Sequence, residues 1–228
     1  LKRNESFYGS KAWVSEIQFI YAPDQTIRVQ MLKRGELDLV FRLSPVHWTA
    51  LLEDEAFGKN YYRIRHVPNG LQWVGWNMGR EIFKDERVRR ALTHLIDRED
   101  ITENLRMKLD EPAMSWFYPG SAEFNGSIKP LPFSPKKAQE LLDAAGWKDS
   151  DGDGIRDKAG QPFEFTFSYP GVGSFYEPLA GLMRTEFARH GIRMKTEKLE
   201  WAVYLEKLRK HDFDSCSLLW GMQPRNDP

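Results

Sequence analysis

Val88-Arg89-Arg90-Ala91-Leu92-Thr93-His94-Leu95-Ile96 places its apolar residues at i, i+3, i+4, i+7 and i+8, one stripe of a 3.6-residue helix. Asp85 precedes it at a capping position, and Asp97 follows as the cap of a continuation through Ile101 and Leu105. A helix this one-sided has to be buried against another layer. Downstream, Ser134-Pro135 opens a helix with cap then proline; Ala138, Leu141, Leu142 and Ala145 face inward and Gly146 closes it. Pro162 to Tyr169 alternates as a strand, and Leu179, Leu182, Met183 and Phe187 form the next apolar stripe, stopped by Gly191. Ile192 to Thr196 reads as a strand, Trp201 to Lys210 as a helix, and Ser215 to Trp220 as an apolar strand. Strands alternating with helices predict a mixed α/β architecture.

Upstream, Glu16 to Tyr21 reads as a strand. Thr26 to Arg34 reads as a helix with Ile27, Met31 and Leu32 on one face, ended by Gly35. Leu37 to Phe41 is expected to be a short buried strand, and Ser44-Pro45 starts another helix. Tyr61 to Met78 is extended around the turn Pro68-Asn69-Gly70, with Leu71-Gln72-Trp73-Val74-Gly75-Trp76-Asn77-Met78 as a long aromatic strand. Residues 107–133, with Pro112, Pro119, Gly120, Gly126, Pro130 and Pro132, read as an ordered loop.

The chain has 228 residues, 33 basic and 33 acidic. Zero net charge argues against a nucleic-acid partner. No apolar run approaches the roughly 18–20 residues of a membrane span. A single cysteine, Cys216, excludes an internal disulfide framework and a cysteine-built zinc site. Leu1 at one end, and a stop just after an apolar strand at the other, read as the cut ends of a fragment.

Asp149-Ser150-Asp151-Gly152-Asp153 sets carboxylates at alternate positions, with Asp157 beyond, as a calcium loop does. Gly160 stands where an EF-hand needs its bidentate Glu, so a solvated turn without a cofactor is the expectation. The histidines have no metal spacing, and no nucleophile elbow, phosphate loop or dinucleotide glycine pattern occurs. Eight Trp and eight Tyr are a high load. Trp73, Trp76, Tyr169, Phe175, Tyr176 and Trp220 fall at or beside predicted strand ends, as residues lining a ligand cleft do.

The order of these pieces resembles the family 5 extracellular solute-binding proteins, which deliver oligopeptides, dipeptides or nickel complexes to ABC importers. The matching stretches are Val29 to Asp38, ending Gly35-Glu36-Leu37-Asp38; Val74-Gly75-Trp76-Asn77; and Val88-Arg89-Arg90-Ala91-Leu92 with Ile96-Asp97-Arg98-Glu99. Ser134 to Ala138, Leu141 to Trp147, Gly191-Ile192, Phe213-Asp214 and Asp227-Pro228 continue the series. The resemblance implies a two-lobed periplasmic-binding-protein-like α/β fold (type II), incomplete here. Residues 1–70 would be part of the first lobe, 71–80 a hinge-strand region, and 81–228 the second lobe.

It further implies a non-enzymatic, extracytoplasmic substrate-binding component of an ABC importer, closing by its hinge on a peptide or related small solute in an interlobe cleft. The protein would be periplasmic or membrane-anchored, monomeric, and partnered by the importer's permease subunits. Expected ligand-contacting residues are Trp76, Asn77, Ser168, Tyr169, Trp220, Gly221, Met222 and Asp227. Peptide-binding members usually carry an acid four positions before the proline of the Asp-Pro pair, to anchor the peptide's free amine. Pro224 stands there in this chain, followed by Arg225. A carboxylate-based hydrolase and an extracytoplasmic sensor or interaction module are the alternatives.

Overall fold

The computed structural model describes residues 1–64, 70–117 and 121–221. The chain divides into two compact units, Leu1–Arg63 and Ile64–Pro228.

The first unit is helical where capping signals are strong. Asp24, Ser44 and Asp54 each accept a backbone N–H of the first turn, opening α1 (Gln25–Lys33), α2 (Pro45–Leu52) and α3 (Glu55–Asn60). Val29 and Leu32 of α1 meet Leu51 and Phe57 in a small core. Ile27, expected inward, is exposed, because the buried stripe is centred on Val29 and Leu32. The Tyr61 hydroxyl donates to the Leu32 carbonyl, and the Arg63 guanidinium to the carbonyls of Leu51 and Leu52, tying the helix ends together.

The two strands expected in this unit do not form among the described residues. Residues 16–21 contribute only an isolated bridge, Glu16 with Lys2, and residues 37–41 pair with nothing in the unit's ladder hydrogen bonds. Phe19, Leu39 and Phe41 are exposed, while Leu37 and Val40 pack at the edge of the small core. A strand, unlike a helix, cannot satisfy its own backbone groups and needs a neighbour to exist.

The second unit is built on a four-stranded sheet in the order β1-β6-β4-β5, from β1 (Gly70–Trp76), β4 (Glu164–Pro170), β5 (Arg193–Leu199) and β6 (Ser215–Gly221). β1 is antiparallel to β6, while β4, β5 and β6 are mutually parallel. A two-stranded hairpin, β2 (Asp157–Lys158) and β3 (Gln161–Pro162), precedes β4. The helices are α4 (Glu81–Lys84), α5 (Glu86–His94), α6 (Arg98–Asp100) running into a π-helical turn at Ile101–Leu105, α7 (Pro135–Ala144), α8 (Tyr176–Ala188) and α9 (Trp201–Arg209).

One face of the sheet carries Phe165, Phe167 and Tyr169, and packs on Val88, Ala91 and Leu92 of α5, on Leu95 at its end, and on Ala138, Leu142, Leu179, Met183 and Phe187. The capping expectations hold in detail: Asp85 accepts from Arg87 N at 2.9 Å, Asp97 from Asp100 N at 3.0 Å, and Ser134 from Lys137 N at 3.4 Å. Leu182 is exposed, because α8 turns Leu179, Ala180, Met183 and Phe187 inward instead. Gly191 ends α8 at φ +73, where an added Cβ would also meet Arg156 and the Gly154 carbonyl at 3.1 Å. On the opposite face Tyr204 seats α9, its hydroxyl donating to Ser217 O at 2.7 Å.

Candidate functional site

The chain passes from β4 to its neighbour β5, then returns across β4 to β6, so the order of the parallel strands reverses between β4 and β6. α8 and α9, which make these two crossings, lie on opposite faces of the sheet. In open α/β sheets such a reversal leaves a crevice beyond the carboxyl ends of the strands, and ligands bind there. Those ends are Tyr169-Pro170 of β4 and Trp220-Gly221 of β6. Because β1 runs antiparallel to β6, its first residues lie at the same end, with Leu71 opposite Trp220 and Trp73 opposite Leu218.

Three tryptophans gather at this end. Trp220 is 52% exposed and stands at 85° to Trp73, ring centroids 5.9 Å apart. Trp116, 51% exposed, lies 5.4 Å from Trp220. Gly75 makes room for Trp73: a Cβ there would sit 2.7 Å from Trp73 Cζ3 and 3.3 Å from Cε3. Such rigid rings offer contact area at small entropic cost.

Trp116 is carried by the proline- and glycine-rich loop, which is fastened at both ends. On one side the Arg106 guanidinium lies 5.4 Å from the Phe175 ring and pairs with Asp110. On the other, His94 Nδ1 meets Pro132 O at 2.7 Å, and Arg98 donates to the Leu131 carbonyl. Burial draws the Arg98 guanidinium below its usual pKa, with Asp97 and Glu99 opposing. Tyr176, at the start of α8, meets the Gln72 side chain and the Leu219 backbone, and burial pushes its phenol up. Gln72 Nε2 donates to Ser217 Oγ, which donates to Trp73 O, each at 2.7 Å.

Of the residues expected to meet a ligand, Trp220 and Gly221 stand at the crevice. Trp76 instead packs against Phe83 and Phe165, with centroids 5.6 and 5.9 Å away, because its alternation turns it to the face that carries the main core. Asn77 Nδ2 donates to His211 O and Phe213 O, at 3.0 and 2.7 Å, stapling the end of β1 to the turn before β6. Ser168 is buried and donates to Glu197 Oε2 at 2.7 Å, while Tyr169 is buried in the main core. Met222 and Asp227 lie outside the described residues, as do Pro224 and Arg225. Trp116 was not legible as a site residue. Its only signal is an aromatic set among prolines and glycines.

The ligand oxygens of Asp149, Asp151 and Asp153 come within 4.8 Å of one another on an exposed turn. They already accept backbone N–H groups: Asp149 from Gly152 and Gly154, Asp151 from Asp153, and Asp153 from Ile155. Asp157 points elsewhere, accepting from Ser150 N and Oγ, and these bonds hold its carboxyl below the usual range.

A family model for bacterial extracellular solute-binding proteins, family 5 (middle region), matches residues 1–228. The oligopeptide-binding protein AppA of Bacillus subtilis is 28% identical over 230 residues, covering 97% of this chain and 41% of that protein. The nickel-binding periplasmic protein of Escherichia coli is 27% identical over 194 residues, covering 83% of this chain and 36% of that protein. The chain thus spans about two fifths of the length of these curated relatives. Among solved structures, AppA of Bacillus subtilis in complex with a nonapeptide superposes with a TM-score of 0.82 at 26% identity, over 99% of this chain and 47% of that one. NikA of Brucella suis in complex with Fe(III)-EDTA gives 0.85 at 25% identity, over 100% and 45%. With a strand order that reverses at an aromatic crevice, and a family match from the first residue to the last, the chain belongs to the bacterial extracellular solute-binding proteins of family 5.

Proposed function

We propose that the parent protein is the extracytoplasmic substrate-binding component of an ABC importer for peptides or a related small solute, and that the second unit supplies one wall of its ligand site. The observation that carries this reading is the half-exposed Trp116–Trp220 pair at the carboxyl ends of β4 and β6, backed by Trp73. Trp76, Asn77, Ser168 and Tyr169 then act by positioning: Trp76 and Tyr169 pack in the core, Ser168 holds Glu197 of β5, and Asn77 fixes the pairing of β1 with β6 from the far end of the sheet. Relatives that bind oligopeptides, dipeptides or nickel support a binding protein that performs no turnover. No helix among the described residues is long and apolar enough to cross a membrane, and the proposed link to the membrane is through permease subunits.

Pro224 bears on the ligand's charge. A buried ammonium needs a paired carboxylate, and an unpaired one is strongly disfavoured. Calorimetry on the full-length protein, with matched free and N-acetylated tripeptides, tests both points. Expected is tighter binding of the acetylated peptides, no hydrolysis of either, and a loss of roughly tenfold or more in Trp220→Ala, an exposed aromatic at the centre of the contact. Preference for the free amine would place an acid, Asp227 or another, at the amine. Hydrolysis would return the protein to the enzymes.

A further inference from the structure

We propose that Trp73 is a specificity-determining hydrogen-bond donor, its indole N–H kept for an acceptor oxygen of the ligand: a peptide carbonyl or a carboxylate. This rests on the tryptophan cluster being the ligand shelf, and adds which atom of the ligand the shelf selects. Trp73 Nε1 is buried and has no acceptor among the described residues. Buried donors in folded proteins are nearly always paired, so an orphan calls for a partner.

The polar side chains beside Trp73 in the ladder are turned away: Gln72 and Ser217 lie on the other face of the sheet from the Trp73 indole, and bond there to each other and to Trp73 O. Gly75 sets the direction of the orphan. Cε3 and Cζ3 of Trp73 lie over Gly75, which puts Nε1 on the edge of the indole away from Gly75.

The two rings differ in freedom. Trp73 lies along an inter-strand ladder, with the glycine that admits it and Cys216 on the neighbouring strand. Trp220 is half exposed and near the end of its strand, with its ring centroid 5.9 Å from that of Trp73, so on this proposal it is the ring that moves to admit the ligand to the donor. A site that holds an unpaired donor in a low-dielectric place discriminates against ligands lacking an acceptor at that point, because binding them would leave the donor unpaired.

The test uses full-length protein labelled with ¹⁵N-indole tryptophan, and N-acetyl-Ala-Phe-Ala as probe. The Trp73 cross-peak is assigned by its disappearance in Trp73→Phe. Expected at saturation is a downfield movement of the Trp73 indole proton with slowed exchange, and an affinity about three- to tenfold weaker in Trp73→Phe, the size of one neutral hydrogen bond. Peptide binding that leaves both the resonance and the Trp73→Phe affinity unchanged overturns the hydrogen bond and spares the shelf. Binding that Trp220→Ala does not weaken, or no binding of any peptide offered, overturns the shelf and this assignment with it. The resonance is read in the wild-type protein, so a folding defect in Trp73→Phe does not blunt the experiment.

Discussion

At the scale of single residues, Cys216 shows how burial sets chemistry. It is almost fully buried under Tyr204, and that burial pushes its thiol up to about 11, against a smaller opposing effect of the Tyr204 hydrogen bond. The thiolate is the reactive form, so Cys216 is expected to be inert at pH 8 in the folded protein. Dithionitrobenzoate should find no thiol before denaturant is added and one afterwards; rapid reaction of the native chain would show that α9 does not stay seated. The aromatics mark the limit of what single residues reveal from sequence. Trp73 and Trp76 both sit on β1, three positions apart, and strand alternation puts them on opposite faces. Which face holds the main core is decided by α5, α7 and α8, later in the sequence, so the same residue type reads as core or as cleft only once those helices are placed.

At the scale of elements, α9 is held by an ion pair under its length. Lys207 pairs with Glu197 of β5, which also accepts from Ser168 of β4. Burial pushes the Glu197 carboxyl up, but Lys207 and Ser168 together outweigh it, leaving it below its ordinary range. A depressed carboxylate contributes stability that is complete above its unfolded pKa, near 4.3, and is lost as the pH falls through the lower folded value. Glu197→Gln is therefore expected to lower Tm at neutral pH and to flatten its fall below about pH 4.5. A variant whose Tm falls with acid as steeply as the wild type would remove Glu197 from the account.

The acidic turn makes a second prediction. Its carboxylates are already satisfied by backbone N–H groups, so calcium titration should leave Tm unchanged. A rise that Asp151→Asn abolishes would make the turn a cation site. Helices were legible because each carries its cap and stripe within ten or so residues, as Asp85 and Val88 to Ile96 do. The strands expected over residues 16–21 and 37–41 do not form among the described residues; local alternation carries no sign of whether a ladder partner exists.

At the scale of the molecule, the two units are unequal. Among the described residues, four buried apolar residues form the core of the first, against nineteen in the main core of the second. Ordering a backbone takes about 1–2 kcal/mol per residue, which so small a core offsets poorly. The 228-residue chain should thus unfold in two steps, with amides of residues 25–60 exchanging first. Hydrogen exchange and calorimetry giving one coincident transition would refute this. The pairing of β1 with β6 carries a consequence for how the protein is made. Gly70 waits for Gly221, so at roughly 5–20 residues per second β1 spends on the order of 10–30 seconds of synthesis without its neighbour. The β4–α8–β5 unit is complete before β6 exists, and is the natural nucleus. The crevice is then the last part of the second unit to be assembled, and a ribosome stalled anywhere before Ser215 leaves a nascent chain with its tryptophan strand open to chaperones.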